Sequence, residues 1–71
     1  MATQVVAHIT GTVWQVEKGV GDAVEEGDVI VILESMKMEM PVEAPSTGVI
    51  REIHCQVGDA VEEGAVLALI D

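Results

Sequence analysis

The chain has 71 residues, enough for one small domain but short of the core and second lobe that most enzyme active sites need. Phe and Tyr are absent and Trp14 is the only aromatic, so an aliphatic core must be buried efficiently in a domain that hides only about 60% of its unfolded surface. Three Lys/Arg against 13 Asp/Glu give a formal charge of -10, which argues against a nucleic-acid partner, whose phosphates need clustered cations, and suits a freely diffusing protein partner.

Taken in order, Met1 to Val6 lacks the basic start and apolar run of a secretory signal. A first strand is predicted over Thr3 to His8, and a second begins at a glycine and covers Gly11 to Val16. Gly21-Asp22 and Glu25-Glu26-Gly27 read as turns, leaving two or three extended residues between them. Val29 to Leu33 is a continuous β-branched and Leu run, a buried strand far too short to cross a bilayer as a helix. Beyond the central Glu34 to Met40, strands are predicted over Met40 to Ala44, Gly48 to Ile53 and Val66 to Ile70, with turns at Gly58-Asp59 and Glu62-Glu63-Gly64. No stretch sustains a helical period with caps, so the domain reads as all-β.

The order repeats itself. At an offset of 37, residues 3–34 align with residues 40–71, and 13 of these 32 pairs are identical. Val20 to Gly27 returns unaltered as Val57 to Gly64, and Ala7, Thr10 and Gly11 match Ala44, Thr47 and Gly48. Two repeats are too few for a solenoid. The expectation is a single domain over 1–71 with about four strands per half, related by a pseudo-two-fold axis and closed into a flattened barrel or sandwich with few exposed edges. An offset of 37 sends Lys37 just beyond either chain end, so the crossover carrying it belongs at one pole and the chain ends together at the other.

Several residues invite a functional reading. Met36, Met38 and Met40 alternate, which alone could describe the inward face of a strand with Lys37 as its solvent-facing neighbour. Lys18 lies in a Glu-Lys-Gly turn and reads as a solvated charge. His54 and Cys55 are adjacent, so in a strand they face opposite ways and do not readily share a metal with His8. The acids from Asp22 to Asp28 lack calcium-loop spacing and read as solvated turn residues. Trp14 aligns with Arg51 in the repeat, which predicts a partly exposed packing role. Cys55 is the only cysteine, so no internal disulfide can form; a reducing, cytoplasmic location is expected.

Ser35-Met36-Lys37-Met38, between Glu34 and Glu39, resembles the Ala-Met-Lys-Met signature of biotinyl domains, the carrier modules of biotin-dependent carboxylases and decarboxylases. Val42 to Gly48 resembles the family's Ala-Pro-x-x-Gly segment, and both Val-Gly-Asp-x-Val-x-x-Gly blocks are typical of it. The chain is thus identified as similar to short biotin/lipoyl attachment proteins over essentially its whole length. The resemblance implies a barrel-sandwich hybrid of two four-stranded antiparallel sheets, with the modified lysine on the hairpin joining the halves. Ser35 replaces the usual alanine, and the constant offset matches relatives without a thumb insertion.

The resemblance also implies a function. Lys37 would carry biotin as an amide made by biotin protein ligase, with Met36 and Met38 recognised as motif and Ser35, Glu34 and Glu39 flanking it. A lysine is nearly all ammonium at neutral pH, so the ligase must help remove a proton. The biotin would take a carboxyl group at a biotin carboxylase and deliver it to a carboxyltransferase, the domain itself being non-catalytic. A lipoyl carrier is the alternative within the fold, although there the lysine more often follows Asp and precedes Ala. An unmodified β-scaffold is the alternative outside it, and leaves Lys37 without a purpose. Because a two-residue hairpin turn favours φ > 0 at both centres, Met36 and Lys37 are predicted to be left-handed, at a cost of about 1 to 3 kcal/mol each.

Overall fold

Eight short strands form where β-branched runs are cut by glycine- and acid-rich turns, in a computed structural model that describes residues 2–71. Met1, the first residue of the expected domain, lies outside them. In chain order the strands are β1 (Thr3–Val6), β2 (Gly11–Val16), β3 (Ala23–Val24), β4 (Val29–Ser35), β5 (Met38–Glu43), β6 (Gly48–Ile53), β7 (Ala60–Val61) and β8 (Val66–Ile70). Strands β2, β6 and β8 have the limits expected of them. The first strand does not reach His8: the register slips between Val5 and Val6, and Ala7 N–H donates to Ala65 O just beyond the start of β8. Strands β4 and β5 run further towards each other than expected, because their ladder continues from Val29↔Glu43 to Ser35↔Met38.

The strands make two four-stranded antiparallel sheets, ordered β1-β8-β6-β3 and β5-β4-β2-β7. Each sheet takes two strands from each half, so the repeats interleave and neither half owns a sheet. The offset of 37 maps one order onto the other and carries the hydrogen bonds with it. Gly21 N–H donates to Ile50 O at 2.8 Å and Gly58 N–H to Val13 O at 2.8 Å. Glu26 N–H donates to Thr47 Oγ1 at 3.2 Å and Glu63 N–H to Thr10 Oγ1 at 3.3 Å. The connections between β2 and β3 (17–22) and between β6 and β7 (54–59) are equal in length, so neither carries an inserted thumb.

Between the sheets lie Val13, Ile30 and Leu33 and their repeat mates Ile50, Leu67 and Ile70, all within 1% of complete burial. Each such side chain contributes about 1.5 to 3 kcal/mol by leaving water. Every buried residue among those described is apolar. Gly11 opens β2 because β4 passes too close for a side chain: a Cβ there would sit 2.6 Å from the Glu34 carbonyl oxygen. Gly48 meets the same limit against Asp71 O.

These contacts fix the ends of the body, which measures 32 × 17 × 16 Å. Thr3 pairs with Ile70, and Asp71 and Val49 exchange both backbone hydrogen bonds. Gly48 in turn opposes Val24, and Gly27 N–H donates to Ala44 O at the base of the β4–β5 hairpin. Thr3 and Asp71 are therefore both tied to the hairpin's base. Its tip lies seven residues further along β5, about 23 Å at 3.3 Å per residue.

Candidate functional site: the β4–β5 hairpin tip

Ser35 opposes Met38, which leaves a two-residue turn of Met36 and Lys37 with φ of 52° and 65°. Both are left-handed, as predicted for a turn that must follow the twist of its strands. The other positive-φ residues described are the glycines 21, 27, 58 and 64, so this turn alone places side chains where a Cβ is unfavourable, at about 1 to 2 kcal/mol each. The β4–β5 ladder, six residue pairs long, holds the strained turn in place.

Lys37 is exposed and makes no ion pair or hydrogen bond among the described residues. The methionines do not form an inward strand face. Along one side of the hairpin, exposure rises from Val42 at 2% through Met40 at 38% and Met38 at 61% to Met36 at 91%. That side begins in the core opposite Val31 and Leu33 and then overruns it, so the alternation is real and its outer half is bare. Ser35 is half-buried, with its Cβ 3.4 Å from where a Cβ on Gly11 would lie. Two small residues there let β2 and the hairpin approach, which accounts for the small residue beside the motif.

Glu34 and Glu39 face each other across the two strands, both exposed and neither paired with a cation among the described residues. Directly opposed like charges destabilise a sheet. The structure therefore brings Lys37, Met36, Met38, Ser35, Glu34 and Glu39 together within one hairpin end.

The remaining singled-out residues lie elsewhere. His54 is exposed and bonded to Glu52 (Nε2···Oε1, 2.8 Å), whereas Cys55 is buried, so the two point apart. Burial, and then the negative charge of Asp59, push the Cys55 thiol above its ordinary value of 9.0. No group of three His, Cys, Asp or Glu suited to a metal occurs among the described residues. Lys18 is half-buried rather than fully solvated. Three of the turn acids have structural work: Asp22 Oδ2 accepts from Gly19 N–H at 2.7 Å, Asp59 Oδ2 from Gln56 N–H at 2.9 Å, and Asp28 Oδ2 from Glu25 N–H at 2.9 Å. The i, i+3 spacing of Gly19-Asp22 and Gln56-Asp59 was the available signal for these turn bonds. Trp14 is 40% exposed, as expected of it, and occupies a register break in β2 that the sequence does not announce.

Comparison with known proteins agrees with this geometry. Residues 1–70 match the biotin/lipoyl family described as "Biotin-requiring enzyme". A stretch of 44 residues is 52% identical to Biotinylated protein TB7.3 of Mycobacterium tuberculosis, covering 62% of each chain. The Biotin/lipoyl attachment protein of Bacillus subtilis is 46% identical over 37 residues, 52% of this chain and 51% of that one. The match thus spans well under the full length of these relatives. Among solved structures, Kluyveromyces lactis urea carboxylase superposes with a TM-score of 0.95 and 39% identity over 100% of this chain and 6% of that one. A single-chain, multi-domain long-chain acyl-CoA carboxylase does so with a TM-score of 0.90 and 28% identity over 96% of this chain and 7% of that one. The fold, the hairpin and the match over residues 1–70 together make this chain a member of the biotin/lipoyl attachment family.

Proposed function

We propose that the chain is a non-catalytic biotin carrier in which biotin is joined by an amide to Lys37. The observation that carries this reading is the left-handed, solvent-facing turn that presents the amine, φ 65° at Lys37, with no partner among the described residues. The residues fit a covalently held group: an unengaged primary amine projects from the far end of the hairpin, and nothing described closes over it. When bound, biotin supplies a carrier for a carboxyl group between a biotin carboxylase and a carboxyltransferase. The chain's own part is positional. The hairpin fixes the lysine backbone about 23 Å from the base, and tethering raises the effective concentration of the carried group at a second site without any new contact. Exposed Met36 and Met38 offer a biotin protein ligase an apolar grip beside the amine.

The test is intact mass and avidin capture after co-expression with biotin ligase. A biotin-sized increment, lost in Lys37→Arg, is the expected result. A lipoyl increment would replace biotin by the other cofactor of the family, and an unchanged mass with active ligase present would sink the carrier reading. A cytoplasmic location, suggested by the single buried thiol, is checked by fractionating the native cells and blotting with avidin.

A further inference from the structure

We propose that the outer face of the sheet β5-β4-β2-β7 is a second docking surface, centred on Trp14, for the biotin carboxylase that uses the loaded lysine; this rests on the carrier reading. The duplication supplies an internal control. On this face Pro41 opposes Ile32, and Ile32 opposes Gln15, with Trp14 the extra residue where the register breaks. Trp14 and Pro41 are exposed and Ile32 is half-buried. On the mate sheet the same three positions hold Arg51, Leu69 and Gln4, and Arg51 sits at an equivalent register break between Ile50 and Glu52. One backbone thus accepts either set, so the fold itself does not require a half-bare tryptophan.

The charges differ in the same way. Arg51 pairs with Asp71 at 3.5 Å, and Asp71 is the repeat mate of Glu34. In the lysine-bearing sheet Trp14 stands where that neutralising cation would be, and Glu34 is left opposite Glu39. The result is an apolar row, Trp14, Ile32 and Pro41, beside the carboxylates of Glu34, Glu39 and Glu43, which pair with no cation among the described residues. A surface of this kind fits a partner with an apolar pocket rimmed by Lys or Arg, with tryptophan as the anchor. A second copy of the chain is disfavoured, because an isologous contact would bring one acidic rim against another in a chain of charge -10.

Reach separates the user of the arm from the ligase. The row lies four to five residues behind the turn, about 15 Å at 3.3 Å per residue. A bare lysine side chain, five bonds of about 1.5 Å in zigzag, extends only about 6 Å. A ligase must therefore close over the tip at Met36 and Met38, whereas an enzyme gripping the sheet is served by the longer, acylated arm.

The test compares wild-type, Trp14→Arg and Arg51→Gln domains, all fully biotinylated, as substrates of a stand-alone biotin carboxylase subunit with ATP and bicarbonate. Trp14→Arg installs the residue that the mate position already tolerates. Its KM should rise about 30-fold, as for a hot-spot tryptophan, with kcat unchanged, while Arg51→Gln stays at the wild-type value. Modification of Trp14→Arg by the ligase should remain within about two-fold of wild type. NMR titration of the biotinylated domain with the same subunit should shift the Trp14 indole and the Ile32 amide. A wild-type KM for Trp14→Arg, or shifts confined to residues 34–40, overturns the docking surface and leaves the carrier reading standing. Absence of a biotin increment on the wild-type domain overturns both.

Discussion

Replacing Met36 by glycine should stabilise the domain even though it deletes a large side chain. At φ 52° the methionine is left-handed, which costs an L-residue about 1 to 2 kcal/mol that glycine does not incur. Against this, glycine loses more backbone freedom on folding, about 0.5 to 1 kcal/mol. The lost packing is minor: Met36 is 91% exposed, so its contribution at about 25 cal/mol per Å² stays below about 0.5 kcal/mol. The net is a gain of about 0.5 kcal/mol, or about 2 to 4 °C in Tm for a chain of this size. The mirror change, Gly21→Ala at φ 92°, should lose about 0.5 to 1 kcal/mol, because the added Cβ costs about 1 to 2 kcal/mol and the backbone freedom no longer lost on folding offsets about 0.5 to 1 of it. Urea and thermal unfolding followed by circular dichroism and Trp14 fluorescence measure both. A loss of more than about 0.5 kcal/mol in Met36→Gly, with an unchanged m-value, would refute the strain argument. Slower biotinylation of the stabilised variant would then report recognition of the side chain rather than damage to the fold.

Gly11→Ala should be costly, because its Cβ would meet the Glu34 carbonyl oxygen at 2.6 Å, a backbone atom held in ladders on both sides; a loss of about 1 to 3 kcal/mol is expected, and a Tm within about 2 °C of wild type would contradict it. Cys55 predicts an alkaline limit. Its folded-state thiol lies above the ordinary 9.0, so the unfolded chain ionises first; the stability held below about pH 9 is lost as pH rises through the folded value, and Cys55→Ala should flatten that decline in pH-dependent urea melts. The hairpin tip should be rigid in backbone despite its exposure: ¹⁵N order parameters at Met36 and Lys37 near about 0.85, as in the strands, are expected, and values below about 0.6 would show that the turn does not hold its strain.

Much of this was legible because the chain states its fold twice. The offset of 37 located eight strands, the glycine that opens β2 and its mate at β6, and the pole at which Lys37 would stand. The left-handed turn was legible too, since Ser35 and Met38 leave only two residues between strands whose twist demands φ > 0. Interleaving was not. Local periodicity gives each strand a face but names no neighbour, and the pairing of β6 with β8 and β3 depends on contacts far apart in sequence. The register breaks at Trp14 and Arg51 were hidden for a similar reason: an extra residue in a strand shows only against its partner. Alternation also left the methionines ambiguous, because it reports which side a residue is on and not where the core beneath it ends.

The duplication explains why so small a domain can carry a strained tip. Every buried element appears twice, so the core and its turn hydrogen bonds are distributed over two equivalent halves, and only the crossover between them has no mate. Residues 35–39 are the one internal stretch outside both repeats, and the unfavourable φ pair at Met36 and Lys37 falls there, where no symmetry-related contact depends on it. The cost is therefore confined to the turn, while the six-pair ladder behind it fixes the direction in which the turn points. An unstrained Asn-Gly turn would close the same hairpin more cheaply and present no amine. The sequence at the tip departs from what the fold prefers, in the direction that projects one lysine beyond the body. Such a departure is what is expected at a functional site.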